Sequence, residues 1–439
     1  MKIEEQKTNI ALLGLGMDNL ALLQLLDESC APANITICDF RDRDKLPKIK
    51  LKNLKVNYRL GAEFNKNLSD FSLLFRAPGW PITCPGIQAA LKIGKTKLSS
   101  PLNLFLELVP TKNIIGVTGT KGKGTTATLI YKILQANKKT SGHQVFLGGN
   151  IGITPLSFLK KIRPDDYVVL ELSSFQLEDL EHSPKIAVIT NLFKEHLAPA
   201  DPNNPNFHAS LKKYWQAKLN IAQYPENKYL VINQSLESQI KNKKLPGKII
   251  YFSESALPSH LVGDYNRQNI AAAVEVAKIL KIKAEIYKTT IAKFNNLEHR
   301  LEFVAKIKGV KYFDNSFSTT PESTALDLLS FKESIIQIAG GADKGADFKP
   351  LAKVIKQKTN FLILLPGQGA DRIKAELKKI NFPDTQISLA KDMKEAVKLA
   401  RQQAPKNSVV LLSTACASFG IFKNYKERGD LFKKYVRQK

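Results

Sequence analysis

The segment Gly116-Val-Thr-Gly-Thr-Lys-Gly-Lys-Gly-Thr-Thr126 concentrates glycines, two lysines and a terminal pair of threonines in one short window. Glycine lets backbone N–H groups approach a ligand closely, a helix N-terminus is electropositive, and lysine adds a cation. Together these make a phosphate cradle, so Gly119, Thr120, Lys121, Gly122, Lys123, Gly124, Thr125 and Thr126 are the candidate triphosphate contacts. The window departs from the pattern G-x-x-x-x-G-K-[ST] in two places. Val117 stands where the first glycine belongs, and Gly124 stands where the magnesium-binding hydroxyl belongs. Thr125 and Thr126 are the nearest hydroxyls, and Thr125 is the expected replacement. The plain alternative is an ordinary glycine-rich turn ahead of a helix.

A triphosphate site also needs Mg²⁺ held by hard oxygen ligands. Glu171 follows the apolar run Tyr167-Val-Val-Leu170. His196 ends the polar cluster Thr190-Asn-Leu-Phe-Lys-Glu-His196, which follows Ile186-Ala-Val-Ile189. Imidazole is a less usual magnesium ligand, so His196 alone fits a satisfied core histidine equally well. Lys218, in Tyr214-Trp-Gln-Ala-Lys-Leu-Asn-Ile221, reads from spacing alone as a lysine snorkelling over the apolar face of a helix.

These groups need strands that end where the chemistry happens. Residues 113–115 read as a strand end before the loop, and 127–134 as the start of the helix after it. In 1–110, a strand at 9–13 turns through Gly14-Leu-Gly16-Met-Asp-Asn19 into a helix. A second strand at 34–38 then ends at Asp39, as in half of a nucleotide-binding βαβ unit. Asn19 replaces the third glycine of that fingerprint, which weakens a dinucleotide reading. A later apolar run, 71–75, leads to the turn Arg76-Ala-Pro-Gly79. In 111–297, helices are expected at 211–222 and 266–280. In 298–439, strands at 310–313, 335–338, 361–365 and 409–412 each end in a polar loop. The expected architecture is α/β: three domains (1–110, 111–297, 298–439), each on a mainly parallel sheet. The first and last are Rossmann-like and the central one is P-loop-like, with strand ends converging on one cleft.

Composition sets the remaining bounds. At 439 residues the chain is long enough for about three domains. Its net charge is +26, but the lysines are spread along the whole length without a basic tail. That pattern fits small anionic substrates steered by the field better than nucleic-acid binding. Cys30, Cys38, Cys84 and Cys416 lack metal-type spacing and read as free thiols of a reducing compartment. No charged-then-apolar leader and no run long enough to span a bilayer is seen, so a soluble, cytoplasmic protein is expected; a monomer is the separate expectation for its assembly.

The phosphate window, Glu171-Leu-Ser-Ser-Phe-Gln-Leu-Glu178, Thr190–Leu197, Ala217-Lys218, Asn266 with Asn269, and Leu297-Glu-His-Arg300 resemble the Mur ligases in order and across essentially the whole chain. Gly148-Gly-Asn-Ile-Gly152 and Leu412-Ser-Thr-Ala-Cys-Ala-Ser418 with Phe422-Lys-Asn424 are similar to the branch that adds glutamate to UDP-N-acetylmuramoyl-L-alanine. The resemblance implies an acyl-phosphate mechanism in peptidoglycan synthesis, with ATP and Mg²⁺ as cofactors and Lys123 central to catalysis. It implies that Glu171 and His196 bind magnesium, beside the hydroxyl expected of Thr125, and that Lys218 is carbamylated, against the snorkelling reading. It assigns Asn269, Arg300 and Asp314 to ATP. The UDP-sugar falls to Met17, Asp18, Asp39, Arg41, Pro78, Gly79, Asn150 and Ser173, and glutamate to Thr319, Lys344, Ser418 and Phe422.

The chain also departs from the family pattern. Gly124 is similar to folylpolyglutamate synthases, Glu195 replaces an aspartate, and Tyr265 replaces a histidine. Asp314-Asn-Ser-Phe-Ser-Thr319 stands where the glutamate-adding branch has N-D-S-K-A-T, so a lysine has become Phe317. The following Thr320-Pro-Glu-Ser-Thr324 resembles related ligases that add L-glutamate. D-glutamate is the expected substrate, with L-glutamate addition or a folylpolyglutamate-type reaction as alternatives. A nicotinamide dehydrogenase, read from Gly14, Gly16 and Asp39, and a nucleic-acid-dependent ATPase are the readings from other classes.

Overall fold

The computed structural model describes residues 8–29, 33–197, 206–343 and 345–438. Contacts divide the chain into two compact units: Met1–Ser255 with Gln268–Ile291, and Ala256–Arg267 with Ala292–Lys439. Among the described residues, the first unit carries two sheets and the second carries one.

The first sheet contains β1 (Thr8–Leu13), β2 (Ala33–Asp39), β3 (Val56–Leu60), β4 (Leu73–Arg76) and β5 (Lys97–Ser99). They are all parallel, in the order β3-β2-β1-β4-β5. Chain order reverses at β1, so β1 and β4 end side by side, with Leu13 opposite Arg76. A reversal of this kind leaves a crevice at the carboxyl ends.

The second sheet contains β6 (Ile114–Thr118), β7 (Val145–Gly149), β8 (Tyr167–Glu171), β9 (Ile186–Ile189), β10 (Tyr229–Asn233) and β11 (Lys248–Phe252). It too is parallel, in the order β11-β10-β9-β6-β8-β7. Strands covered on both faces need continuous apolar runs, and Val168, Val169, Leu170, Val188 and Ile189 are all fully buried. Register sets Val117 opposite Glu171 and Thr118 opposite Ile189, so the loops after β6, β8 and β9 share one rim. The two sheets share one hydrophobic core.

The second unit contains β12 (Glu302–Ile307), β13 (Val310–Asp314), β14 (Ile335–Gly340), β15 (Thr359–Leu365), β16 (Ile387–Leu389) and β17 (Val409–Leu412), in the order β12-β13-β17-β14-β15-β16. Only β12 runs antiparallel. The α/β class and mainly parallel sheets match expectation. Most boundaries shift by a few residues, and the shift at β6 matters for the site: it continues to Thr118, so Gly116 is a strand residue rather than the start of the loop. A Cβ on Gly116 would sit 2.8 Å from Pro184 Cγ, so glycine here serves close packing and not phosphate approach.

Candidate active site

The loop after β6 is short, Gly119 to Gly122, and helix Lys123–Ser141 begins at once. Gly119 and Gly122 have φ of +146° and +81°, backbone that favours glycine. A side chain on Gly119 would strike Thr190 and one on Gly122 would strike Asn269, which places Asn269 against the loop. The β9 loop grips the same turn: Lys121 N donates to Asn191 Oδ1 at 2.8 Å, and Thr190 Oγ1 donates to the Lys121 carbonyl at 2.7 Å. Thr120 is 2.9 Å from the buried Tyr214 hydroxyl. Sequence reasoning placed Thr190 and Asn191 in a candidate cluster and Tyr214 in the Lys218 run but gave none of them a role of its own, because those roles depend on contacts about 70 or more residues away.

Lys123 Nζ rests on the Gly119 and Thr120 carbonyls at 3.0 and 2.9 Å. Lys121 pairs with Glu195 at 3.1 Å. Thr125 and Thr126 are both buried in the first helical turn. Gly124 is buried beside them.

Lys218 corrects the snorkelling reading. It is 1 % exposed, and its Nζ donates to the Gly119 carbonyl at 2.8 Å, over the Tyr214 ring. Burial drives its pKa well below the ordinary value, and the Lys123 charge pushes it the same way. Glu171 is 2 % exposed at the end of β8. One carboxylate oxygen accepts from Asn150 at 2.9 Å, and the other is buried without a hydrogen-bond partner. A buried, half-satisfied carboxylate beside a phosphate-type loop has the chemistry of a cation ligand. His196 has φ +58°, and its ring meets Phe175 edge-on at 5.1 Å. Burial lowers its pKa, and nearby Lys123, Lys218 and Lys121 add to that effect against the pull of Glu195.

Across the first unit lies a cavity of about 880 Å³. Met17, Asp18, Asp39, Arg41, Pro78, Gly79 and Asn150 line it, as the sequence suggested, and Trp80, Phe64 and Phe207 join them. Asp39 is fully buried: it accepts from Leu15 N at 2.8 Å and holds the Arg41 guanidinium at 2.7 Å. Asn19 donates to the carbonyls of Leu13, Gly14 and Phe75, so it ties β1 to β4 where a dinucleotide fingerprint would have glycine. Ser173 caps the short helix Ser174–Leu177 in a capping box with Gln176.

In the second unit, Asp314 is fully buried, accepting from Ser316 N at 2.8 Å and lying 2.7 Å from His299 Nδ1. Arg300 stacks on Phe317 at 3.7 Å. Ser418 and Phe422 are buried, and Thr319 is half-buried. Lys344 lies outside the described residues, as does Cys30. Cys38, Cys84 and Cys416 are free thiols. Among the described residues, no helix is long and apolar enough to cross a membrane.

Comparison with known proteins gives this arrangement a family. Residues 117–257 match the Mur ligase middle domain, and residues 299–416 match the Mur ligase glutamate ligase domain. A UDP-N-acetylmuramoylalanine–D-glutamate ligase of Acetivibrio thermocellus is 36% identical, covering 99% of this chain and 97% of that protein. One of the same name from Clostridium tetani is 35% identical, covering 98% and 96%. By structure the chain resembles the MurF ligase of Thermotoga maritima in complex with ADP, with a TM-score of 0.58 at 16% identity and coverage of 99% and 96%. It also resembles FolC of E. coli, at 0.55 and 14% over 76% and 91%. At those identities the two structures speak for the fold alone. The sequence relatives reach further, and the chain belongs to the Mur ligase family.

Proposed function

We propose that this chain is an ATP-dependent ligase that joins D-glutamate to UDP-N-acetylmuramoyl-L-alanine in the cytoplasmic stage of peptidoglycan synthesis. The observation that carries the reading is the meeting of Lys123, Lys218 and the Gly119–Gly122 turn, with the unpartnered Glu171 oxygen at the end of the neighbouring strand. Relatives of this name, similar over nearly the whole chain, support it.

The reaction makes an amide from a carboxylate. The alanyl carboxylate takes the γ-phosphoryl group of ATP and releases ADP. The glutamate amine attacks the resulting acyl phosphate, and the tetrahedral intermediate expels phosphate. The obstacle is charge, because an anion must approach a polyanion. Lys123, resting on two loop carbonyls, would offset the charge of the transferring phosphoryl group, and the loop N–H groups would hold the phosphates. Mg²⁺, when bound, would screen the phosphates, with Glu171, His196, Thr125 and a carbamylated Lys218 as its proposed protein partners. Asn269, Arg300 and Asp314 are the proposed ATP contacts. The cavity lined by Asp39, Arg41 and the Pro78-Gly79 turn is the proposed UDP-sugar site, and Thr319, Lys344, Ser418 and Phe422 the proposed glutamate contacts. The proposed domains are 1–110, 111–297 and 298–439, acting on UDP-sugar, ATP and glutamate in that order, in a monomer.

The test is phosphate release in parallel assays with D- and L-glutamate. Turnover that requires both UDP-N-acetylmuramoyl-L-alanine and D-glutamate supports the reading. Turnover with L-glutamate alone would transfer it to the other isomer, and no turnover with either would remove it.

A further inference from the structure

One group of buried polar side chains in the first unit has no part in the chemistry above. His208 is 3 % exposed and lies flat on Phe175, with ring centroids 4.8 Å apart at 5°. Its Nε2 is 2.9 Å from Ser174 Oγ, and its Nδ1 is 3.3 Å from a Glu178 carboxylate oxygen. Glu178 is 3.4 Å from the buried Arg76 guanidinium, which also donates to the carbonyls of Phe175 and Trp80 at 2.7 and 2.9 Å. The sequence reading passed over His208 and treated Arg76 only as part of a turn.

Two connections give the cluster a direction. The His208 backbone N–H donates to the His196 carbonyl at 2.8 Å, tying the two histidines together through the main chain. The opposite partner of Phe175 is the His196 ring itself, edge-on at 5.1 Å. His208 therefore grips the turn that follows Glu171 through Ser174 and Phe175, and the loop that bears His196 through its backbone. With its proton on Nδ1 facing Glu178, the ring accepts from the Ser174 hydroxyl at Nε2. Serine, histidine and glutamate in such a row resemble a nucleophile triad, but Ser174 is 2 % exposed, closed off from solvent as a nucleophile cannot be. A satisfied core histidine is the plain reading. It gives no reason for the contacts to converge on the two segments that carry Glu171 and His196.

We propose that His208 is a positioning residue for His196 and for the Ser173–Gln176 turn, acting through Phe175 and Ser174. The proposal rests on the ligase reading and deepens it: it names what holds the cation-binding side chains in place. Groups that orient metal ligands change metal affinity by about 10–100-fold when removed.

The experiment uses the full chain with ATP and measures Mn²⁺ affinity by electron paramagnetic resonance, alongside the half-saturating Mg²⁺ concentration in turnover. His208→Phe keeps the stacking ring and removes both nitrogens. It is expected to weaken Mn²⁺ binding by about tenfold, to raise the Mg²⁺ requirement in parallel, and to recover turnover at high Mg²⁺. His208→Gln, which returns a polar atom near the Nε2 position, should regain part of the affinity. A folded His208→Phe protein with wild-type Mn²⁺ affinity overturns the proposal. Should that variant fail to fold, Ser174→Ala removes a single hydroxyl and should show a smaller shift in the same direction, and an unchanged affinity there overturns it equally. A wild-type chain that binds no Mn²⁺ with ATP would overturn the ligase reading and this inference together, which separates the two failures.

Discussion

The Lys218 side-chain nitrogen donates to the Gly119 carbonyl at 2.8 Å, linking a helix to the phosphate loop across 99 residues of sequence. The same burial that hides it holds its pKa well below the ordinary 10.5, so the amine gives up its proton readily. Folding favours the neutral amine, so its contribution to stability falls as pH drops from 10.5 toward the lowered value. A neutral amine is the form that takes up carbon dioxide. Turnover is therefore expected to fall when bicarbonate is stripped from the buffer and to return when it is added. Lys218→Ala should lower kcat by about 100-fold or more, the scale of one lost electrostatic stabiliser. Bicarbonate-independent turnover of the wild type would sink the carbamate.

Lys123 tests the phosphoryl end separately. Its ammonium sits on the Gly119 and Thr120 carbonyls and is half-buried, so its loss leaves the fold standing. Lys123→Ala should lower kcat by about 100- to 1000-fold with little change in the melting temperature. A variant that turns over normally would refute the role given to the loop.

How much of this was legible in the sequence depends on where each residue's partners lie. Runs such as Ile186–Ile189 and Val409–Leu412 were readable because a strand covered on both faces must be apolar throughout. The end of β6 was not, since Gly116-Val-Thr118 looks like loop until Pro184 and Ile221 are seen to crowd Gly116. Lys218 had the spacing of a surface lysine, and nothing local revealed the carbonyl that receives it. Arg76 and His208 were missed for the same reason: Phe175 is 99 residues from the first and Ser174 is 34 from the second. A charged residue closing the apolar run 71–75 was the one available signal.

Asp39 gives a prediction with a pH signature. Burial pushes its carboxyl pKa up, but hydrogen bonds from Arg41 and Leu15 more than offset that, and the net shift is downward. A carboxylate with a lowered folded pKa stabilises the fold above its unfolded pKa of about 3.9 and loses that contribution as pH falls through the lowered value. Asp39→Asn should cost about 1–3 kcal/mol near neutrality. The gap in melting temperature from wild type should close in acid. Because Arg41 loses its anchor at the cavity wall, KM for the UDP-sugar should rise more than kcat falls. A gap that widens in acid would contradict the assignment.

Arg428 carries the corresponding test for the second unit. It is fully buried, and its guanidinium reaches Ser316 Oγ at 2.9 Å, the Ser316 carbonyl at 2.8 Å and the Cys416 carbonyl at 3.1 Å. Burial brings its pKa down to about 10, still charged at neutral pH, so the loops after β13 and β17 are held together by one planar cation. Those loops carry Thr319 and Ser418. Arg428→Met removes the donors from buried carbonyls and should destabilise by about 1–3 kcal/mol for each carbonyl left unpaired, read as a lower urea midpoint. Arg428→Lys keeps the charge but not the fork, so it should restore little of that loss. In either variant that still folds, KM for glutamate should rise while KM for the UDP-sugar stays near wild type. Equal changes in both constants would mean that Arg428 supports the whole chain and not the glutamate loops, and full rescue by lysine would show that charge alone, without the planar geometry, holds them.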